Sequence, residues 1–152
     1  MQTRRDILKR SATVAGLLAA TGLFPQYALA AWNKAAFDAK TVPDAVKAYG
    51  AAAPTESKDV TITAPDIAEN GAVVPMTIAT SLPNVKQLLL LVEKNPNSLT
   101  AKFDVTDSVE PNFVTRAKMG QSSDVYAVAI TADGKSHFAK KEVKVTLGGC
   151  GG

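Results

Sequence analysis

A single cysteine, Cys150, stands three residues from the end of the 152-residue chain, inside the run Gly148-Gly149-Cys150-Gly151-Gly152. A thiol is a nucleophile, an oxidisable group and a metal ligand, in each case mainly as its thiolate, and an unperturbed cysteine has a pKa near 8.5. Three uses are open to it: an incidental thiol, an intermolecular disulfide, or a covalent carrier that accepts a group and presents it elsewhere. An exposed spare thiol is a liability wherever oxidants are present, and an odd cysteine in an exported chain points to pairing with another chain. The glycines favour the carrier. Glycine adopts both signs of φ, and without side chains it leaves the sulfur slim enough for a narrow channel. Residues 148–150 extended span roughly 10 Å. A catalytic nucleophile needs the opposite, a base and an orienting group on rigid elements, so Cys150 is not expected to be catalytic by itself.

Other chemistry finds little material. The one histidine, His137, lies beside a hairpin turn and reads as a surface strand residue. A zinc site takes three or four Cys, His or carboxylate ligands, and with one Cys and one His no metal site is expected. A G-x-G-x-x-G phosphate loop is absent, and the terminal glycines precede no helix. No cofactor is therefore expected beyond what Cys150 carries covalently.

The first thirty residues read as a targeting segment. Arg4, Arg5, Lys9 and Arg10 form a basic start, an uncharged and weakly apolar run covers residues 11–24, and Ala28-Leu29-Ala30 is an A-x-A cleavage pattern. The run is shorter and less apolar than the ~20 residues a membrane span requires, so no anchor is expected. Thr3-Arg4-Arg5-Asp6-Ile7-Leu8-Lys9 resembles the twin-arginine export signal S/T-R-R-x-F-L-K, with Ile7 at the aromatic position. Charge supports the division. Of 17 basic and 14 acidic residues, residues 1–30 hold four and one, which leaves 13 of each and a formal charge of zero from residue 31 onward. A neutral domain lacks the basic surface on which nucleic-acid binding rests.

The elements that must position Cys150 follow from periodicity. Trp32, Ala35, Ala36 and Ala39, with Phe37 beside them, recur at helical spacing. A second short helix is expected over residues 41–50, with Thr41 as cap, Pro43 in the first turn, Asp44 at the positive end and Gly50 as stop. Residues 51–57 read as a linker. Strands are expected over residues 59–64, 73–81, 85–93, 99–105, 112–118, 124–131 and 136–147, with turns at Glu69-Asn70-Gly71, Asn95-Pro96-Asn97 and Ala132-Asp133-Gly134-Lys135. Pro75 implies a bulge or an edge strand. Leu88-Leu89-Leu90-Leu91-Val92 is apolar on both faces and implies a central strand. The last strand sets Ala139, Val143, Val145 and Leu147 on one face and ends where the glycines begin. About seven strands without an intervening long helix predict a mainly β fold: an antiparallel immunoglobulin-like β-sandwich with short N-terminal helices. The expected organisation is a signal over 1–30, the sandwich domain over 31–147 and an arm over 148–152.

The run Glu142-Val-Lys-Val-Thr-Leu-Gly-Gly-Cys-Gly-Gly152 is similar to the C-terminus of the SoxY family, the sulfur carriers of the periplasmic thiosulfate-oxidising Sox system. Lys40-Thr-Val-Pro-Asp-Ala-Val-Lys-Ala-Tyr-Gly50 resembles the family's K-T-x-x-D-A-[LV]-K helix, and residues 64–75 resemble its strand-turn-strand region. The resemblance implies that Cys150 carries thiosulfate-derived adducts: S-thiosulfonate, persulfide and sulfonate. It implies a heterodimer with SoxZ and passing encounters with SoxXA, SoxB and, in some members, SoxCD. It also implies twin-arginine export of the folded complex to the periplasm, and an acceptor rather than an enzyme. A Cys150–Cys150 disulfide between two such complexes fits the same thiol. Two other functions stay open: a C-terminal thiocarboxylate carrier, since the chain ends Gly151-Gly152, and an exported structural domain that dimerises through Cys150.

Overall fold

The structure is a computed structural model and describes residues 4–20 and 33–146. The chain divides into two units, residues 1–32 and 33–152. The described part of the first unit is one helix, α1 (Arg4–Ala20), with Arg4 and Arg5 exposed in its first turn. Among the described residues, no helix is long and apolar enough to cross a membrane. Ala28 and Ala30 lie outside the described residues.

The second unit begins with α2 (Lys34–Asp38) and α3 (Val42–Ala48). Both caps follow side-chain chemistry. The Asn33 side chain accepts from the Ala36 N–H at 3.1 Å, and Thr41 Oγ1 accepts from the Asp44 N–H at 3.3 Å. Gly50 follows α3 at φ 72°, the left-handed conformation that closes helices. The expected first helix is thus only five residues long, and Trp32 lies outside the described residues.

Among the described residues nine strands follow in chain order: β1 (Thr55–Glu56), β2 (Val60–Thr63), β3 (Ile67–Ala68), β4 (Val74–Thr80), β5 (Val85–Val92), β6 (Leu99–Asp104), β7 (Asn112–Ala117), β8 (Ser123–Thr131) and β9 (Ser136–Val145). One sheet runs β1-β9-β8-β5-β6, with β3 also paired to β9; the other runs β2-β4-β7. All pairings are antiparallel except those of β1 and β3, which run parallel to β9. The architecture is the expected immunoglobulin-like sandwich, with two additions. Residues 51–57, read as a linker, contain β1, and the stretch between β2 and β4 contains β3, just ahead of the expected turn.

The centrality of β5 has a direct cause. Leu88, Leu90 and Val92 enter the core between the sheets with Val74, Met76, Ile78 and Val143. Leu89 and Leu91 face the opposite way, into a second core with Ala36, Val42, Ala45 and Val46 of the helices. Leu88 through Val92 all have zero exposure. Helices, large sheet and small sheet thus form three layers, with β5 buried on both faces.

Pro75 corrects the expectation of a bulge or an edge. It sits in β4, the middle strand of the small sheet, and neither β4 pairing shifts register. Ser81 N–H bonds the Asp59 carbonyl at 2.9 Å. The antiparallel alternation therefore directs the backbones of Ala79, Thr77 and Pro75 toward β2. But β2 ends opposite Thr77, at Thr63. The missing N–H of Pro75 points past the end of its neighbour, so no ladder bond is lost.

Candidate functional site

β9 is the element that leads to Cys150. Its alternation is as expected: Ala139, Val143 and Val145 turn toward the core between the sheets, while Phe138 packs in the helix-side core. Strand β8 pairs with it from Ser136 to Val143. Beyond that the strand runs on, and a collar of other segments holds it. On one side β3 pairs in parallel, Ile67 with Lys144 and Ala68 with Val145. Lys144 N–H donates to the Asp66 carbonyl at 2.9 Å, and Thr146 N–H to that of Ala68 at 3.1 Å. Thr146 Oγ1 donates to the Glu69 carbonyl at 3.0 Å. On the other side Ser122 Oγ accepts from Val145 N–H at 2.9 Å and donates to the Val145 carbonyl at 3.5 Å. Lys141 fixes the approach to β3, with its Nζ 2.6 Å from the Ala64 carbonyl and 2.9 Å from Asp66 Oδ1.

The collar is tied further into the fold. Asn95 donates from Nδ2 to the Lys118 carbonyl at 2.7 Å and accepts at Oδ1 from Gly120 N–H at 3.2 Å. Met119, fully buried, donates its N–H to the Gly71 carbonyl at 2.7 Å. The chain is therefore held up to Thr146. Residues 147–152 lie outside the described residues, and with them Gly148, Gly149, Cys150, Gly151 and Gly152. Covalent geometry alone limits the step from Thr146 to Cys150, four residues, to about 13–14 Å.

His137 lies near the opposite end of β9, eight residues from Val145 and so roughly 26 Å away at strand rise. It is half-buried, with Nδ1 3.3 Å from Thr55 Oγ1 on β1. It borders a cleft of about 360 Å³ lined also by Asn84, Thr131, Asp133 and Lys135. Hydrogen bonds from Lys135 and Thr131 hold the Asp133 carboxyl well below the usual carboxylate range, and Asp133 in turn raises Lys135. Gly134 takes φ 81° in this turn. The Asp133–Lys135 pair is the chemistry of a tight hairpin, and the strand separates it from the collar. Among the described residues, no group of three or more His, Cys, Asp or Glu is placed to hold a metal ion.

The residues that root the terminal segment, Ser122, Asp66, Ala68 and Glu69, were not legible in the sequence. Each acts mainly through a hydroxyl or backbone carbonyl on a partner 23 or more positions away, and such contacts leave no local pattern.

The fold is that of an immunoglobulin-like β-sandwich whose last strand is held by a collar of backbone and hydroxyl hydrogen bonds up to Thr146. The family model described as "Sulfur oxidation protein SoxY" matches residues 45–150, its last matched position being Cys150. The chain belongs to the SoxY family. Among solved structures it is similar to the sulfur carrier protein SoxY from Chlorobium limicola f thiosulfatophilum, at 37% identity and TM-score 0.61, over 68% of this chain and 94% of that one. A superoxide reductase (neelaredoxin) from Ignicoccus hospitalis matches at 20% identity and TM-score 0.52, over 59% of this chain and 82% of that one, a likeness of fold alone. No curated protein matches the chain.

Proposed function

We propose that this chain is a covalent carrier of sulfur intermediates in thiosulfate oxidation, with Cys150 as the attachment residue. The observation that carries the reading is placement. The chain's single cysteine stands four residues past Thr146, where the collar's hydrogen bonds end. Membership of a sulfur-oxidation family and the likeness to a protein described as a sulfur carrier support it.

The chemistry needs only a thiol from this chain. Oxidative coupling joins the Cys150 Sγ to the outer sulfur of thiosulfate, releasing one proton and two electrons to a cytochrome partner, SoxXA. The product is a cysteine S-thiosulfonate. Water, directed by the hydrolase SoxB, cleaves its sulfur–sulfonate bond; sulfate and a proton leave, and Cys150 keeps a persulfide. Where SoxCD is present, three waters and the loss of six electrons and seven protons convert the terminal sulfur to a sulfonate. A second hydrolysis then restores the thiol. The catalytic groups belong to the partners; the glycines 148, 149, 151 and 152 leave the sulfur accessible to them. Export by the twin-arginine route, with Arg4 and Arg5 in the signal and cleavage after Ala30, places the carrier in the periplasm. Pairing with SoxZ before export accounts for a route that takes folded cargo.

Intact-mass analysis of the protein from thiosulfate-grown cells tests the proposal. The expected result is adducts confined to Cys150. Unmodified thiol throughout, together with a Cys150→Ser strain that still oxidises thiosulfate, would overturn it.

A further inference from the structure

Asn70 is the only asparagine of the chain that precedes a glycine, and it stands within the collar. Its turn is built by its own side chain and backbone. Asn70 Oδ1 accepts from the Ala72 N–H at 2.8 Å, and the Asn70 carbonyl accepts from the Val73 N–H at 3.5 Å, an arrangement that asparagine favours at the head of a turn. Asn70 is exposed, so its carboxamide meets water. Both neighbours are committed to holding other segments. The Glu69 carbonyl accepts from Thr146 Oγ1 at 3.0 Å, and the Gly71 carbonyl accepts from the Met119 N–H at 2.7 Å.

The backbone nitrogen after an asparagine can attack the side-chain carbonyl carbon, and glycine, having no Cβ, obstructs that approach least. Two features of this turn favour the attack. The Ala72 N–H on Oδ1 polarises the carboxamide and is in place to bear the negative oxygen of the addition step. Among the described residues the Gly71 N–H has no hydrogen-bond acceptor. Asp133, the only aspartate before a glycine, has neither feature. Hydrogen bonds from Lys135 and Thr131 hold its carboxyl ionised, which makes it a poor electrophile, and the Gly134 N–H donates to the Thr131 carbonyl at 3.0 Å.

We propose that Asn70–Gly71 is a site of covalent self-modification that loosens the hold on the root of the terminal segment. The Gly71 nitrogen bonds to Asn70 Cγ; the Cγ–Nδ2 bond breaks, and ammonia leaves with the Gly71 amide proton. The product is a cyclic imide, which water opens at either carbonyl. Breaking the bond from nitrogen to Cγ leaves an ordinary aspartate. Breaking the bond from nitrogen to the backbone carbonyl carbon leaves an isoaspartate, whose main chain runs through Cβ and Cγ. Water is the only co-reactant. The isoaspartate inserts one carbon into the main chain between the Glu69 and Gly71 carbonyls. Their partners are fixed by β9 and the core, so the collar loses the bond to Thr146 Oγ1, the bond to the Met119 N–H, or both. The proposal holds whether or not Cys150 carries sulfur.

Incubation of the folded full-length protein in mildly alkaline buffer tests it, because base assists removal of the Gly71 amide proton. Peptide mapping by mass spectrometry, with fragmentation to separate the two products, is expected to show aspartate and isoaspartate at position 70 ahead of any change at the other asparagines. Asn70→Gln, whose longer side chain closes a ring far more slowly, is expected to stay unconverted, and far-UV circular dichroism checks that it folds. In the converted protein, isolated by its added negative charge, the amide of Met119 or Thr146 should exchange about 5-fold faster than in the parent, the loss of one hydrogen bond. Asn70→Asp gains the charge without the extra carbon and should keep the parent's protection. An Asn70 that stays intact in the folded protein while the urea-unfolded chain converts would overturn the proposal, because the fold would then protect the site. Conversion that leaves both amides as protected as in the parent, or equally fast exchange in Asn70→Asp, would overturn the coupling to the collar.

Discussion

Ser122 holds Val145 by both of its backbone groups, accepting from the N–H at 2.9 Å and donating to the carbonyl at 3.5 Å. One side chain thus closes the last turn of the collar across 23 residues of sequence. The relationship makes β9 continuous as a support beyond Val143, where pairing with β8 stops.

Replacing Ser122 by Ala leaves the Val145 groups without this partner. The expected cost is about 1 kcal/mol. The diagnostic readout is local: amide hydrogen exchange at Val145 should accelerate more than at Ala139, which β8 still pairs. Equal protection in parent and variant would show that the hydroxyl does not hold the root.

The double burial of β5 predicts comparable losses from its two faces. Leu90→Ala opens the core between the sheets and Leu91→Ala the core under the helices. Each is expected to cost roughly 2–5 kcal/mol in chemical denaturation. A Leu91→Ala variant as stable as the parent would mean that the helical layer contributes little.

Stability should decline in strong alkali. Burial, with Asp104 second, raises the Tyr49 hydroxyl above its ordinary value of 10.0; burial, with Glu93 second, raises Tyr126. The hydrogen bond that Lys140 donates to the Asp124 carboxylate raises Lys140 above its ordinary value of 10.5. A raised folded value means that the native state keeps its proton longer than the unfolded chain. The associated stability is present below pH ~10 and is lost as pH rises through the folded values. Melting temperature is expected to hold from pH 7 to 9 and to fall between 10 and 12, less steeply in Tyr126→Phe. A flat profile to pH 12 would refute the assignment.

The glycines around Cys150 predict a transfer defect without a folding defect. Gly149→Val and Gly151→Val should melt with the parent, because both positions follow Thr146, the last residue with a described hydrogen bond to the fold. They should load thiosulfate-derived sulfur several-fold more slowly with the partner enzymes. Unchanged loading in both would remove slimness from the mechanism.

Much of this was legible beforehand. The helix caps at Thr41 and Gly50, the seven longer strands and the two-faced burial of Leu88–Val92 follow from local spacing, because side-chain period and capping act over a few residues. The solitary cysteine among glycines, and the family to which it points, are also properties of the chain alone. Other features had no such signal. β1 and β3 are two residues long, too short for any period, and they exist because β9 offers backbone groups to residues some 80 positions earlier. Pro75 looked like a flaw in a central strand, and only the point at which β2 stops makes it harmless. Sequence determined which seven segments would be the longer strands and where in the chain the reactive sulfur would stand. Tertiary structure decided which strands meet, because hydrogen bonds between distant backbones are specified by where the folded layers bring them, and so it decided how firmly the last strand is held before the cysteine.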